Sequence, residues 1–142
     1  MKSIVFVCTG NTCRSAMAAA IAKKISDERG LALAIDSCGL AASFGSPASE
    51  NACLALSELY GIDLSSHRSK QATAEILEGA DIIFAMTAQH TAALSSIPSL
   101  RDRLRCANPP IADPYMQDLS VYKKAAQQLY SQIDALLSEV AK

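Results

Sequence analysis

The stretch Ile4-Val5-Phe6-Val7-Cys8-Thr9-Gly10-Asn11-Thr12-Cys13-Arg14-Ser15 decides the fold of this chain. Its first four residues form an unbroken apolar run, the pattern of a central parallel strand covered on both faces. From Ser15 the chain is rich in helix formers, with Met17, Ile21 and Ile25 at four-residue intervals, and the run ends near Gly30. A strand therefore feeds a helix through a turn of about seven residues. Within that turn Gly10 permits positive φ, and Asn11 is the non-glycine residue that best tolerates it.

Working outward, Leu31–Ser37 alternates loosely as a second strand closed by Gly39. Ser46-Pro47 reads as an N-cap followed by proline at the first helical position, opening a helix to about Tyr60. The polar stretch 63–71 reads as a loop, followed by a short helix from Thr73 to Gly79. Ala80–Met86 is a third apolar strand, after which Thr87 caps a helix that fades at Ser95-Ser96 and Pro98. Arg103–Ala107 is a weaker fourth strand ended by Asn108-Pro109-Pro110. From Asp118 a last helix carries Leu119, Tyr122, Ala126, Leu129, Ile133, Leu136 and Val140 on one stripe.

Strands alternating with helices predict an α/β, Rossmann-like, three-layer sandwich: a four-stranded parallel sheet with helices on both faces and right-handed crossovers. With strand order 2-1-3-4, the switch point falls between strands 1 and 3 at their carboxyl ends, where ligands of such folds bind. The Cys8 loop sits there.

The 142 residues fit one domain, 1–142, with no internal repeat or linker. A net charge of −1 gives no general attraction to nucleic acid or an anionic membrane, so anion binding has to be local. The Ile4–Val7 run is too short for a signal-peptide core, and no stretch reaches the roughly 20 apolar residues of a membrane span. Five cysteines, an odd number without the dense spacing of a secreted scaffold, favour the reducing cytoplasm. Cys38, Cys53 and Cys106 lack ligand-like spacing, so no metal or cofactor is expected.

A loop entering a helix N-terminus presents unpaired backbone N–H groups, and the helix dipole adds partial positive charge. Both favour a bound phosphate. Cys8 shares that field, which favours the nucleophilic thiolate. Arg14, six residues on, offers a planar fork that can hold two oxygens of a tetrahedral anion. Cys8 alone reads as a buried apolar thiol, since buried cysteine is common; Gly10, Arg14 and Ser15 in a strand-turn-helix setting reverse the reading to a nucleophile in an oxyanion cradle. Asp113-Pro114 follows the fourth strand on the same edge and is the candidate general acid, although the residues alone favour a solvated aspartate beginning a turn.

Cys8-Thr9-Gly10-Asn11-Thr12-Cys13-Arg14-Ser15 closely resembles the phosphate-binding loop of the low-molecular-weight protein tyrosine phosphatases and their bacterial protein arginine phosphatase relatives. The resemblance spans nearly the whole chain, including Ser66-His67-Arg68-Ser69-Lys70-Gln71, Ala80-Asp81 through Ala85-Met86-Thr87, and Asp113-Pro114-Tyr115. Ala16 departs from it, because the family usually carries proline there; a slightly looser helix start is expected. The resemblance implies a metal-free phosphatase in which Cys8 forms a phosphocysteine, Arg14 and the loop amides from Thr9 to Ser15 stabilise equatorial charge, and Asp113 is the general acid. It further implies that Ser15 hydrogen-bonds the Cys8 sulfur and that Asn11 holds the strained loop with His67 as partner. Thr12 and Tyr115 are expected at the substrate cleft. Cys13 is either a redox partner for Cys8 or a filler beneath the loop, and His90 is expected on the surface.

The substrate implied is a phosphorylated protein, handled by a monomer. Threonine at position 12, where tyrosine-directed members carry an apolar residue, tilts the expectation slightly from phosphotyrosine to phosphoarginine. A thioredoxin-coupled arsenate reductase shares the loop but needs two further cysteines near the end of the third strand, where Phe84-Ala85-Met86-Thr87-Ala88 has none. A phosphocarrier, a partner-binding relay, would need to keep its phosphate, whereas Arg14 with Asp113 suits release to water.

Overall fold

The computed structural model describes residues 2–141; Met1 and Lys142, the ends of the expected domain, lie outside the described residues. The elements run β1 (Lys2–Cys8), α1 (Arg14–Arg29), β2 (Leu33–Gly39), α2 (Glu50–Tyr60), α3 (Ala74–Glu78), β3 (Ile82–Ala85), α4 (Ala88–Ser95), a 3-10 helix (Pro98–Arg103), β4 (Leu104–Cys106) and α5 (Leu119–Val140). The four strands are parallel in the order β2-β1-β3-β4, as expected.

Alternation along β1 sorts its side chains onto two cores. Ile4, Phe6 and Cys8 pack with α1, α2 and α5, whereas Val5 and Val7 pack with Leu77 of α3, Leu94 of α4 and Leu100. Both faces of the central strand are covered, which is why the run from Ile4 to Val7 has no polar residue. Helix α1 buries Ala16, Ala18, Ala19 and Ala22 along with Met17, Ile21 and Ile25. The small alanines let it lie close between the sheet and α5, so it lacks the one-sided pattern of a surface helix. On α5 the apolar stripe does face the core: Tyr122, Ala126, Leu129, Ile133 and Leu136 are buried, with Ala125 and Leu137 beside them.

Three expected helix starts coincide with side-chain caps. Thr73, Thr87 and Asp118 each accept a backbone N–H three residues on, a contact that contributes about 1 kcal/mol. The start of α2 differs from expectation. Ser49, not Ser46, caps it, accepting from Ala52 N. Ser46 is engaged elsewhere: its N–H donates to Ser69 Oγ at 3.0 Å and its carbonyl accepts from Ser69 N at 2.7 Å. That pairing keeps 46–48 out of the helix, so the Ser-Pro signal is outcompeted by a contact 23 residues away.

Candidate active site

The turn after β1 enters α1 in a ring whose carbonyl groups point outward. The carbonyls of Cys8, Thr9, Thr12 and Cys13 accept from Leu40 N, Ala41 N, Ser49 N and Met17 N at 2.9 to 3.0 Å. The Asn11 carbonyl accepts from His67 Nε2 at 2.6 Å. Among the described residues the N–H groups of Thr9 to Cys13 donate to no protein acceptor, so the ring's donors face inward. Such a ring at a helix N-terminus is an anion site. It floors a cavity of about 320 Å³ lined by the loop, Ser43, Ser46, Asp113 and Tyr115.

Asn11 keeps the ring in shape. It takes φ 58°, while Gly10 does not need positive φ, so the permissive role expected of the glycine falls to the asparagine. The Asn11 side chain is fully buried, and its amide donates to Ser15 Oγ at 2.8 Å and Ser37 Oγ at 2.9 Å. Its Oδ1 accepts from Lys70 N at 3.0 Å. Each such bond is worth about 1 kcal/mol net, and more if a buried partner is left unpaired.

Because Ser15 Oγ accepts from Asn11, its own proton is free for the Cys8 sulfur 2.9 Å away. The Cys8 sulfur thus receives a hydrogen bond from the Ser15 hydroxyl. Arg14, only 5% exposed, donates from one terminal nitrogen to the Ile111 carbonyl at 3.1 Å, while the other lies 3.7 Å from Asp113 Oδ2. Asp113 is solvent-exposed, and its Oδ1 accepts from Tyr115 N at 3.0 Å, which fixes the carboxylate at the cavity rim. Tyr115 is 61% exposed and stands on the same rim. Thr12 also lines the cavity.

Cys13 is buried beneath the loop, with Ser49 Oγ at 3.3 Å and the Tyr122 hydroxyl at 3.5 Å from its sulfur. Burial first, then the Cys13 contact, pushes the Tyr122 phenol up to about 12. Burial likewise pushes Cys38 up to about 12, with Asp36 adding to it. His67 is pulled below its ordinary 6.5 by burial; the Asn11 carbonyl works against that shift, and Lys23, Lys70 and Arg68 reinforce it. The imidazole is therefore neutral and donates through Nε2, since a carbonyl can only accept.

His90 corrects the sequence-based expectation. It is buried at 6% exposure, not on the surface, with both ring nitrogens bonded. Helix α4 starts at the carboxyl end of β3, and that places its first turn against the Cys8 loop. Ser37, Gly39 and Lys70 also serve the site and were missed. The only signal for Ser37 and Gly39 was their position at the carboxyl end of β2, the edge where such sheets bind ligands; Lys70 lies in the polar stretch 63–71, with no local mark of its partner Asn11.

A larger cleft of 660 Å³ lies behind the loop between α1 and residues 61–70. Lys23, Lys24, Arg68 and Lys70 line it against Asp27, Glu28, Asp36 and Asp63. These charges cancel, and the cleft is lined by no cysteine. Chemistry, not volume, therefore assigns the site to the Cys8 cavity.

A family model for low molecular weight phosphotyrosine protein phosphatase matches residues 3–142. The chain belongs to that family. It is 35% identical to the protein-arginine-phosphatase of Bacillus subtilis, across 98% of this chain and 94% of that one. The crystal structure of a low molecular weight protein tyrosine phosphatase from T. tengcongensis superposes with a TM-score of 0.93 at 39% identity, covering 98% and 99% of the two chains. A YwlE arginine phosphatase mutant with a phosphorylated active-site serine superposes equally well, at 34% identity over 99% and 96%. Among the described residues of this phosphatase, no helix is long and apolar enough to cross a membrane.

Proposed function

We propose that this phosphatase hydrolyses phosphorylated protein side chains, phosphoarginine ahead of phosphotyrosine, through a phosphocysteine on Cys8. One observation carries the reading: the relay from Asn11 through Ser15 to the Cys8 sulfur, set inside a ring of inward N–H groups with Arg14 at its edge. Cys8 attacks phosphorus in line while Asp113 gives its proton to the leaving group. Water, deprotonated by the same carboxylate, then attacks the phosphocysteine and releases phosphate and the Cys8 thiolate. Arg14 and the loop amides bear the charge on the equatorial oxygens, so the chemistry is positioning and electrostatics. The Asp113 carboxylate, 3.7 Å from the Arg14 guanidinium, supports this pairing of acid and phosphate clamp.

Thr12 supports the order of substrates. Its hydroxyl places a small polar group in the cavity wall, which suits a guanidinium and gives a phenol ring little apolar surface. The relative with the protein-arginine-phosphatase name points the same way. The test compares kcat/KM on phosphoarginine and phosphotyrosine peptides in the wild type and Thr12→Ile. We expect the ratio to move towards phosphotyrosine by about tenfold, the size of a small pocket change; an unchanged ratio refutes the role of Thr12. No turnover of either peptide by wild type refutes the catalytic reading.

The same reading takes residues 1–142 as a single phosphatase domain acting as a monomer in the cytoplasm. A reactive thiol and four further cysteines suit a reducing compartment. Sedimentation tests the monomer and cell fractionation the compartment.

A further inference from the structure

His90 has no part in the mechanism above, yet it is tied to the loop as firmly as the residues that have one. Its Nε2 lies 2.9 Å from Thr9 Oγ1, across 81 residues of sequence, and its Nδ1 lies 2.9 Å from Thr87 Oγ1. Both partners are hydroxyls, so hydrogen-bond saturation sets the tautomer. Thr87 Oγ1 already accepts the backbone N–H of His90 as the cap of α4. Its proton is free, and Nδ1 is the acceptor within reach. Nδ1 is then the bare nitrogen, and Nε2 carries the hydrogen that goes to Thr9 Oγ1. The opposite tautomer leaves the Thr87 proton without an acceptor and uses the Thr9 proton on the ring.

In the saturated arrangement Thr9 Oγ1 receives a bond from behind and keeps its own proton to give. Thr9 lines the cavity floored by the inward N–H groups. Burial and the neighbouring Arg14 guanidinium both pull the His90 pKa down, with Asp113 opposing them, and this keeps the ring neutral.

We propose that His90 is a positioning residue: through Nε2 it holds the Thr9 hydroxyl so that its proton points into the oxyanion cavity, adding a side-chain donor to the ring of backbone amides. The inference rests on that cavity being the oxyanion site of the proposed reaction. It makes the first turn of α4 part of the catalytic support, joined to the loop through the chain Thr87, His90, Thr9.

The test uses the full chain with tungstate as a tetrahedral oxyanion, its dissociation constant measured by calorimetry, alongside kcat/KM for an aryl phosphate. Asn places an amide where Nδ1 lies and cannot reach Thr9, whereas Gln reaches the Nε2 position. We expect His90→Asn and Thr9→Val each to weaken tungstate binding by roughly 3- to 10-fold, the range for one neutral hydrogen bond. His90→Gln stays near wild type, and the double variant His90→Asn/Thr9→Val is no worse than either single.

Any of three results in the variants would overturn the proposal: tungstate affinity in His90→Asn within twofold of wild type, even with a lowered melting temperature; losses that multiply in the double variant; or a Thr9→Val protein that binds as wild type does. Thr9→Val lies outside the core, so it decides the matter should His90→Asn fail to fold. Wild type that binds tungstate without hydrolysing the ester defeats the catalytic reading alone. Wild type that does not bind tungstate defeats both.

Discussion

Replacing Gly39 with alanine tests whether the end of β2 shapes the catalytic loop. Gly39 lies opposite Cys8 in the parallel register. A Cβ there would sit 2.9 Å from Ala42 Cβ and 3.1 Å from Asn11 N, and nearer still to Thr9 O. Comfortable contacts between such atoms begin at roughly 3.5 Å, so something must retreat by about 0.5–1 Å. The strand cannot easily do so, because Gly39 N donates to Lys70 O at 3.0 Å and Gly39 O accepts from Ala72 N at 2.8 Å. The loop gives way instead, and it carries Cys8 and the inward N–H groups.

A misplacement of about 1 Å at reacting groups costs on the order of 100-fold in rate, and overpacking costs roughly 1–3 kcal/mol. The expected result is a fall in kcat/KM on an aryl phosphate of about 10- to 100-fold with a melting temperature lower by about 3–10 °C. Gly61→Ala is the control. Gly61 has φ 65° and open space around an added Cβ, so alanine there is strained but distant from the loop. It should lower stability by about 1 kcal/mol and leave kcat/KM alone. A Gly39→Ala protein with kcat/KM within threefold of wild type refutes the reasoning.

Two further outcomes follow from the buried groups. His67 and His90 both titrate below their ordinary 6.5 in the folded chain, each through burial first. Below about pH 6.5 the unfolded chain therefore binds protons that the folded one refuses, and stability present above that pH is lost as the pH falls through the folded values. Thermal melts should show a lower melting temperature at pH 5.5 than at pH 7.5, with a shallower slope in His67→Asn; an unchanged slope in that variant removes His67 from the account. Peroxide should convert the Cys8 thiolate to a sulfenic acid, which the Cys13 thiol condenses with, releasing water and forming a disulfide that added thiol reduces. Wild type should regain most of its activity after peroxide and then thiol, and Cys13→Ser far less; equal recovery leaves Cys13 as the filler beneath the loop, against Ser49 and Tyr122.

The parts legible in the sequence are those that local chemistry controls. The run from Ile4 to Val7 specifies a two-faced strand, Thr87 and Asp118 cap the helices that follow them, and Cys8, Arg14 and Ser15 fall on one turn because they are seven residues apart or fewer. Asp113 was legible as a residue of the loop after the last strand, although nothing local brought it to Arg14. Helix α2 was misjudged at its start because Ser46 found Ser69, a partner that no local rule reveals.

The sequence by itself determined the strand, the turn, the helix and the residue types proposed as reacting groups, since backbone preference and side-chain period act over a few residues. Only the tertiary structure decided what holds the loop. Asn11 meets Ser37 across 26 residues and Lys70 across 59, and Arg14 meets the Ile111 carbonyl across 97. His90 looks like a surface residue until β3 and β1 lie side by side and bring Thr9 to it. A serine, a glycine or a histidine carries no mark of its distant partner. The parallel register supplies that partner, by placing the ends of β1, β2 and β3 on one edge of the sheet.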